Sequence, residues 1–364
     1  MKKILLGCLV LVSAVALAVK PKPLVYNGDT LPQTNIFKRA QCGKVGKSLG
    51  IPEVSGIACS RVTPGYIWMQ SDDYESYIIA ADEKGDSCYM KVKFSKKIRW
   101  DWEDMSGGVY DGKNYLFIGA FGDNDHTDGN YSIVYFEEPE ITPASPSTTL
   151  TPSAIKFQYP DKEKHNCEAL MYDNLEQMIY IITKVYYNVC QVFRIPFRLD
   201  YGDEMQTLEY ICDLGVKSDM GEGVNPSKGF HLVTAADISP DGKYVLIKNH
   251  NNTSGLAAYS WILYWERDGE ESIAETVKRQ PQVLDCYSYE WQGEAMCWLD
   301  SDIFYTTSDS DGEPPIYKYT RKGSQGIGDV QRDDIQCTKV LRDGQLYICT
   351  KDGLYAPDGR KVRP

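Results

Sequence analysis

Histidine is scarce in this chain, at 4 of 364 residues, and 39 Lys and Arg face 51 Asp and Glu, a formal net charge of −12. Without clustered cations there is no footprint for a phosphate backbone, so nucleic acid is excluded as a partner. The four His never recur at metal-finger spacing and the 11 Cys contain no C-x-x-C pair, which removes structural zinc. No glycine-rich phosphate loop follows a strand and no G-x-S-x-G elbow occurs, so P-loop, dinucleotide-binding and serine-hydrolase frameworks fall away. Long amphipathic helices are missing too. Beyond residue 18 no apolar run approaches membrane-spanning length, and an integral membrane protein is not expected.

What is present begins with an address. Lys2-Lys3, an apolar run from Ile4 to Ala18 and the closing Ala16-Leu17-Ala18 have the layout of a cleavable signal peptide of bacterial type, residues 1–18. Leu5-Leu6-Gly7-Cys8 resembles a lipobox, but the apolar run continues past Cys8, so a lipoprotein is the less favoured reading. The expected location is outside the cytoplasm: secreted, periplasmic or on the cell surface. Cleavage leaves 37 basic against 51 acidic residues and an even 10 Cys, in a compartment where disulfides are permitted. Hairpin partners suggest Cys190 with Cys212 and Cys337 with Cys349.

The remainder is short runs of Tyr, Ile, Val and Trp broken by Asp-Gly turns at 111–112, 241–242, 343–344 and 358–359. One hairpin pattern recurs five times. Each copy has an acidic residue, a small-apolar strand, a polar turn, an aromatic-rich strand and a closing polar group. The acidic residues Glu53, Glu103, Glu168, Asp237 and Glu294 are spaced by 50, 65, 69 and 57 residues, which suits four-stranded blades. The expected fold is an all-β propeller over residues 19–335, with five blades, or six as the alternative. An N-terminal strand at Ile36–Cys42 completes the last blade and removes the open edges. Residues 336–364 read as a C-terminal β-hairpin extension, and the competing fold is a β-sandwich with chance self-similarity.

In a hairpin the start of the first strand lies beside the end of the second. If the first strand is innermost, the five carboxylates ring one mouth of the central channel. A second set joins them there: Asp72, Asp73, Asp123, Asn124, Lys184, Lys248, Ser308 and Asp309. Carboxylates crowded on one axis need protons or a cation to offset them. Ca²⁺, which accepts six to eight oxygens in flexible geometry, is the expected ion, on Glu53, Glu103, Glu168, Asp237 and Glu294. Lys184 and Lys248, with His165 and His231, are candidate catalytic groups. Asp72, Asp123, Asn124 and Ser308 would hold the ligand. The competing reading of each carboxylate is a strand cap.

Six ordered motifs resemble secreted bacterial propellers described as phytase-like or esterase-like. They are Glu-Val-Ser-Gly-Ile-Ala (53–58), Asp-Trp-Glu-Asp-Met (101–105), Gly-Asp-Asn (122–124), Asn-Cys-Glu-Ala-Leu (166–170), Thr-Ala-Ala-Asp-Ile-Ser-Pro-Asp-Gly (234–242) and Gln-Gly-Glu-Ala-Met (292–296). Glu53 with Ser55-Gly56 and Asp72-Asp73, and Glu294-Ala295, are locally similar to calcium-activated nucleotidases of the apyrase type. That likeness implies Ca²⁺ on Glu53, Glu103, Glu168 and Glu294, with Asp237 reaching it through water. It also implies a Ca²⁺-dependent phosphoester or phosphoanhydride hydrolase. The nucleotidase pattern lacks its phosphate-side cation cluster here beyond Lys184 and Lys248. The competing functions are a binding propeller with a structural ion and a lactonase-type ester hydrolase. The expected partner is a small anionic molecule, a glycan or a peptide, met by a monomer.

Overall fold

The computed structural model describes residues 24–26, 28–72, 77–96, 98, 101–142, 144–185, 189–218, 231–251, 259–284, 288–290, 292–309 and 312–323, with the backbone of four strands between 338 and 362. Five antiparallel sheets form five blades. Their inner strands are Val54–Cys59, Trp102–Tyr110, Cys167–Asp173, His231–Ile238 and Ala295–Trp298, in blades I to V. Each packs on the next, and the fifth returns to the first, so the ring is closed. Five blades are present, as the repeat spacing predicts, and six are not.

Burial explains the sequence texture. Every residue of Val54–Cys59 and of Cys167–Asp173 is buried, because an inner strand has neighbouring blades on both faces. Such strands therefore read as continuous small and apolar runs. The outer strand of blade II, Ser153–Gln158, alternates instead between buried and more exposed positions. Between Tyr110 and Lys113 the hairpin turns on Asp111 and Gly112, both at positive φ (48° and 72°), which is the demand of a type I′ turn. Between blades and within them the core is aromatic. Phe117 of blade II stacks on Tyr172 of blade III at 4.7 Å, and within blade V Phe304 stacks on its ladder partner Tyr319 at 4.3 Å.

The ring closes as expected. Phe37–Lys44 pairs antiparallel with Pro315–Arg321 and supplies the outer strand of blade V. What periodicity missed is a set of short parallel strands. Ser147–Leu150, from blade II's outer connection, adds to Cys88–Phe94 of blade I. Gln206–Thr207, from blade III, adds to blade II, and Gln33–Thr34, leading into blade V's outer strand, adds to blade IV. Two to four residues carry no readable alternation, so only the tertiary setting makes them strands. The C-terminal residues form a four-stranded antiparallel sheet, Thr338–Arg342, Gln345–Thr350, Gly353–Tyr355 and Lys361–Val362, where a single hairpin is expected from sequence. Residues 1–18 lie outside the described residues, as does Cys337.

Two buried aspartates tie the axis together. Asp104 of blade II accepts from Leu170 N of blade III and Ala236 N of blade IV, both at 2.9 Å, and from its own strand at Met105 N, 2.8 Å. Asp237 of blade IV accepts from Trp298 N of blade V at 2.8 Å and from Ser106 Oγ of blade II at 3.1 Å. Glu138 joins blades I and II, accepting from Ser60 Oγ at 2.5 Å and Trp68 Nε1 at 2.9 Å. Replacing Asp104 with Ala strands two buried N–H groups on different blades, and a loss of about 3 kcal/mol is expected. Urea unfolding of Asp104→Ala measures it, against the exposed Asp203→Ala, whose midpoint stays near wild type.

Candidate functional site

One end of the propeller axis gathers an acidic mouth. A bulge at the start of the inner strand sets it up in four blades. Register shifts across Ser55 in blade I, across Glu103 and Asp104 in blade II, across Glu168 in blade III and across Thr234 in blade IV. A bulge inserts an extra residue and re-aims its side chain. In blade V, Glu294 directly precedes the first paired residue, Ala295. Two positions before these sites, Glu53, Asp101 and Gln292 all hold positive φ (43°, 69° and 47°), a costly conformation for residues with a Cβ. Gly122 backs Glu103 so closely that a Cβ there would collide with the Glu103 and Asp101 carboxylates.

Carboxylates converge on this mouth from four blades. Oxygens of Glu53, Asp72 and Asp309 lie within 4.8 Å of one another. Asp72 is pushed up to about 7, first by burial and then by Asp309, Glu53, Glu168 and Asp101. Its Oδ1 has no hydrogen-bond partner. Burial, with Glu168 and Asp101 beside it, holds Glu103 well above the usual carboxylate range. Glu294 is likewise raised well above it by burial, with Lys184 opposing and Glu168, Asp309 and Asp72 adding to the shift. A cleft of about 290 Å³, lined by Lys47, Ile51, Glu53, Gly312 and Pro314 among others, opens beside Glu53.

One cation is built in. Lys184, at the end of blade III's second strand, is buried; it donates to Glu168 and lies 3.7 Å from Glu294. Burial alone would lower its ammonium, but Glu168, Glu294 and Glu103 raise it. His250 of blade IV lies 4.0 Å from Glu294 and is 3% exposed, and neither ring nitrogen has a partner. Burial, then Lys184 and Lys248, keep that imidazole neutral well below its ordinary pKa. Asn124 Oδ1 accepts from Asn166, which also donates to Glu168 Oε1 at 3.1 Å, so Asn124 sits over that edge of the mouth. Ser308 is buried beside Asp309.

Other sequence-predicted residues stand elsewhere. Asp237 is three residues farther along its strand than the bulge at Thr234, in the axial network described above; burial raises it to about 6. Aligning repeats on acidic identity, rather than on the bulge, placed it in the ring. Lys248 is fully buried between blades IV and V, and its three donors go to Glu290 (2.5 Å), Ala295 O (3.3 Å) and Thr307 O (2.9 Å). With every N–H engaged it is an inter-blade tie with nothing left for a ligand. His165 is bonded to Asp161 at 2.8 Å and packs edge-on to Tyr159. Asp123 organises its own loop, accepting from Thr127 N, Asp128 N and Tyr131 OH. His231 is described by its backbone alone, pairing with Asn251, and Asp73 lies outside the described residues. Cys190 and Cys212 are free thiols: Cys190 pairs with Leu214 while Cys212 faces Val192, one pair out of step.

Sequence reasoning missed Asp101 as a mouth residue. The signal for Asp101 was its place two before Glu103, the offset of Glu53 from Ser55. Nothing local marks Glu290 as the partner of Lys248, 42 residues away.

The crowding has a pH signature. A carboxyl whose folded pKa is raised binds its proton more tightly in the folded state, so its contribution is present below about pH 4 and is lost as pH rises toward about 7. Melting in chelator is expected to fall across that window. Asp72→Asn makes the fall shallower, as thermal scans from pH 4 to pH 8 will show.

No family model matches the chain, and no curated protein matches it. Among solved structures, it is similar to the β-propeller domain of Cps50 (Swd1) from Myceliophteria thermophila, at 13% identity and a TM-score of 0.34, over 72% of this chain and 83% of that one. The α-L-arabinofuranosidase of Podospora anserina, in complex with cellotriose, gives 10% identity and a TM-score of 0.42 over 79% and 98%. The NanB sialidase of Streptococcus pneumoniae gives 12% and 0.34 over 71% and 36%. At such identities these likenesses concern the fold alone.

Proposed function

We propose that this chain is an exported, cation-dependent propeller that holds Ca²⁺ at its acidic mouth and captures there a ligand rich in oxygen donors, a small anion, glycan or peptide. The observation that carries it is the trio Glu53, Asp72 and Asp309, within 4.8 Å of one another and with Asp72 Oδ1 left without a donor. The donor set fits the ion: all are carboxylate oxygens, from two blades and three separate loops, with Glu168 and Glu294 close enough to act on Asp72. Hard oxygen donors in a flexible arrangement suit Ca²⁺ better than Mg²⁺, which keeps a compact octahedron. The chain's own cations favour the same reading. Lys184 is occupied by Glu168 and Glu294, and Lys248 by Glu290, so an anion reaching this mouth needs a further positive charge. The signal-like residues 1–18 support export, and modules outside cells bind Ca²⁺ at dissociation constants of about 10⁻⁴–10⁻³ M.

A second reading, hydrolysis of a phosphate ester, phosphate anhydride or lactone, is favoured by one observation. Burial raises Glu103, Glu294 and Glu168 above the usual carboxylate range, and Lys184, which donates to Glu168, opposes that rise there. A carboxyl biased toward its proton and one that an ammonium biases toward ionisation then share one mouth, the arrangement that general acid–base chemistry uses. When bound, Ca²⁺ would polarise a ligand oxygen. Glu103 would donate its proton, and Lys184 would keep Glu168 ionised and placed.

Thermal melting with Ca²⁺ and with chelator decides the first reading. Saturation at 100 times the dissociation constant adds about 2.7 kcal/mol, and a rise of about 5 °C is expected in wild type and in Asp203→Asn but not in Asp72→Asn. Equal melting of wild type in both conditions overturns it. A phosphatase, nucleotidase and lactonase panel decides the second: turnover falling about 100-fold in Glu103→Gln, with the Ca²⁺ shift retained, supports hydrolysis. Flat activity in wild type rejects it.

A further inference from the structure

Deeper along the inner strands than the mouth, two thiols meet where the first and last blades join. Cys59 ends the inner strand of blade I, and Cys297 is the third residue of the inner strand of blade V. These strands pack side by side as the final step of the ring. Their Sγ atoms are 3.4 Å apart, although 238 residues separate them along the chain, and both side chains are buried, 6% and 1% exposed. The sulfurs lie in the apolar cluster of Ile57, Ile67, Met69, Ala295 and Tyr305, with Asp237 near enough to act on Cys297. Other described cysteines differ. Cys42, Cys88 and Cys167 donate to backbone carbonyls, and Cys190 and Cys212 fall out of register.

We infer that Cys59 and Cys297 are a covalent cross-link site, a disulfide that staples blade I to blade V and locks the ring shut. A disulfide needs its sulfurs at about 2.05 Å, so closure takes an approach of about 1.4 Å, within reach of small side-chain rotations on two adjacent strands. The chemistry is exchange with an external disulfide, such as oxidised glutathione. One cysteine thiolate attacks it and releases one external thiol, leaving a mixed disulfide. The second cysteine thiolate then attacks the protein sulfur and releases the other. Two protein thiols are oxidised, one external disulfide is reduced to two thiols, and the cysteine protons end on the leaving thiolates. Attack requires thiolate, and burial holds the Cys297 thiol well above its usual value in the folded ring. The bond therefore forms as the blades come together, before the sulfurs are sealed. Once formed it is shielded from reductant by the same packing. Closing so long a loop removes much of the freedom of the unfolded chain.

The inference is independent of any ion at the mouth, and so is its test. The full-length chain is refolded with a mixture of reduced and oxidised glutathione, alkylated without reductant, digested and mapped. The expected product is a joined peptide pair containing Cys59 and Cys297 that separates on reduction. Protein refolded oxidatively is expected to melt about 10 °C above protein refolded in reductant, and Cys297→Ala is expected to melt alike after either refolding. Recovery of both cysteines fully alkylated from oxidatively refolded wild type overturns the inference, as does finding either sulfur joined mainly to another cysteine. Mapping of wild type needs no variant to fold. A joined pair with equal melting of the oxidatively and reductively refolded protein refutes the stapling role.

Discussion

The carboxylates of Asp104 and Asp237, bonded to backbone N–H groups of neighbouring inner strands, set the geometry on which the mouth depends. Inner strands of a propeller share no ladder with one another, so side-chain packing and a few directional bonds fix their spacing. Asp104 reaches from blade II to blades III and IV, and Asp237 from blade IV to blades V and II. Both acceptors are buried, where a hydrogen bond is strong and a missing one costly. With the axis pinned at that level, the next residues toward the mouth have little freedom to separate. Glu103, Glu168 and Glu294 are consequently held together against their mutual repulsion.

The fold was legible because its signals are local. Asp-Gly turns and alternating outer strands act over a few residues, and the hairpin pattern they build recurs at spacings of 50 to 69 residues, which leads to five blades and to the N-terminal closing strand. The site was legible in part. Glu53, Glu103, Glu168 and Glu294 were found because acidic residues precede apolar runs, yet Asp237 looked the same in one dimension. Only the register shift at Thr234 shows that Asp237 lies deeper. Lys184 and Lys248 both stand on second strands. Lys184 follows its ladder's last pair, Cys167 with Thr183, and faces the mouth. Lys248 instead pairs with Ala235 and is held by Glu290 and the blade V carbonyls of Ala295 and Thr307. That difference depends on contacts between blades, which no pattern along one strand encodes. The parallel strands at the rim were invisible for the same reason.

Five repeats do not give a five-fold site. Blades I and V supply the tight carboxylate trio, blade III contributes a carboxylate and its own counter-ion, and blade IV presents Thr234 and a neutral His250. Charge is thus graded across the mouth, most concentrated between blades I and V and most relieved beside Lys184. This gradient explains why the net charge of the chain says little about the site, since the surplus that matters is a handful of carboxylates with no cation of their own beside them.

The stretch from Leu24 to Lys44 has a part in three places. Leu24–Tyr26 pairs with Val216–Ser218, Gln33–Thr34 with Val283 and Leu284, and Phe37–Lys44 with Pro315–Arg321. During synthesis none of these partners exists when the stretch is made. Leu24–Tyr26 can pair with Asp29–Thr30 at once and with Val216–Ser218 after blade III, but Phe37–Lys44 must stay unpaired until the last blade has emerged. Blades II and III can assemble as they appear, but the circle is completed only after synthesis has passed Arg321. Folding is therefore gated by an end-to-end encounter, and an exposed, strand-forming N-terminal segment is carried through most of translation.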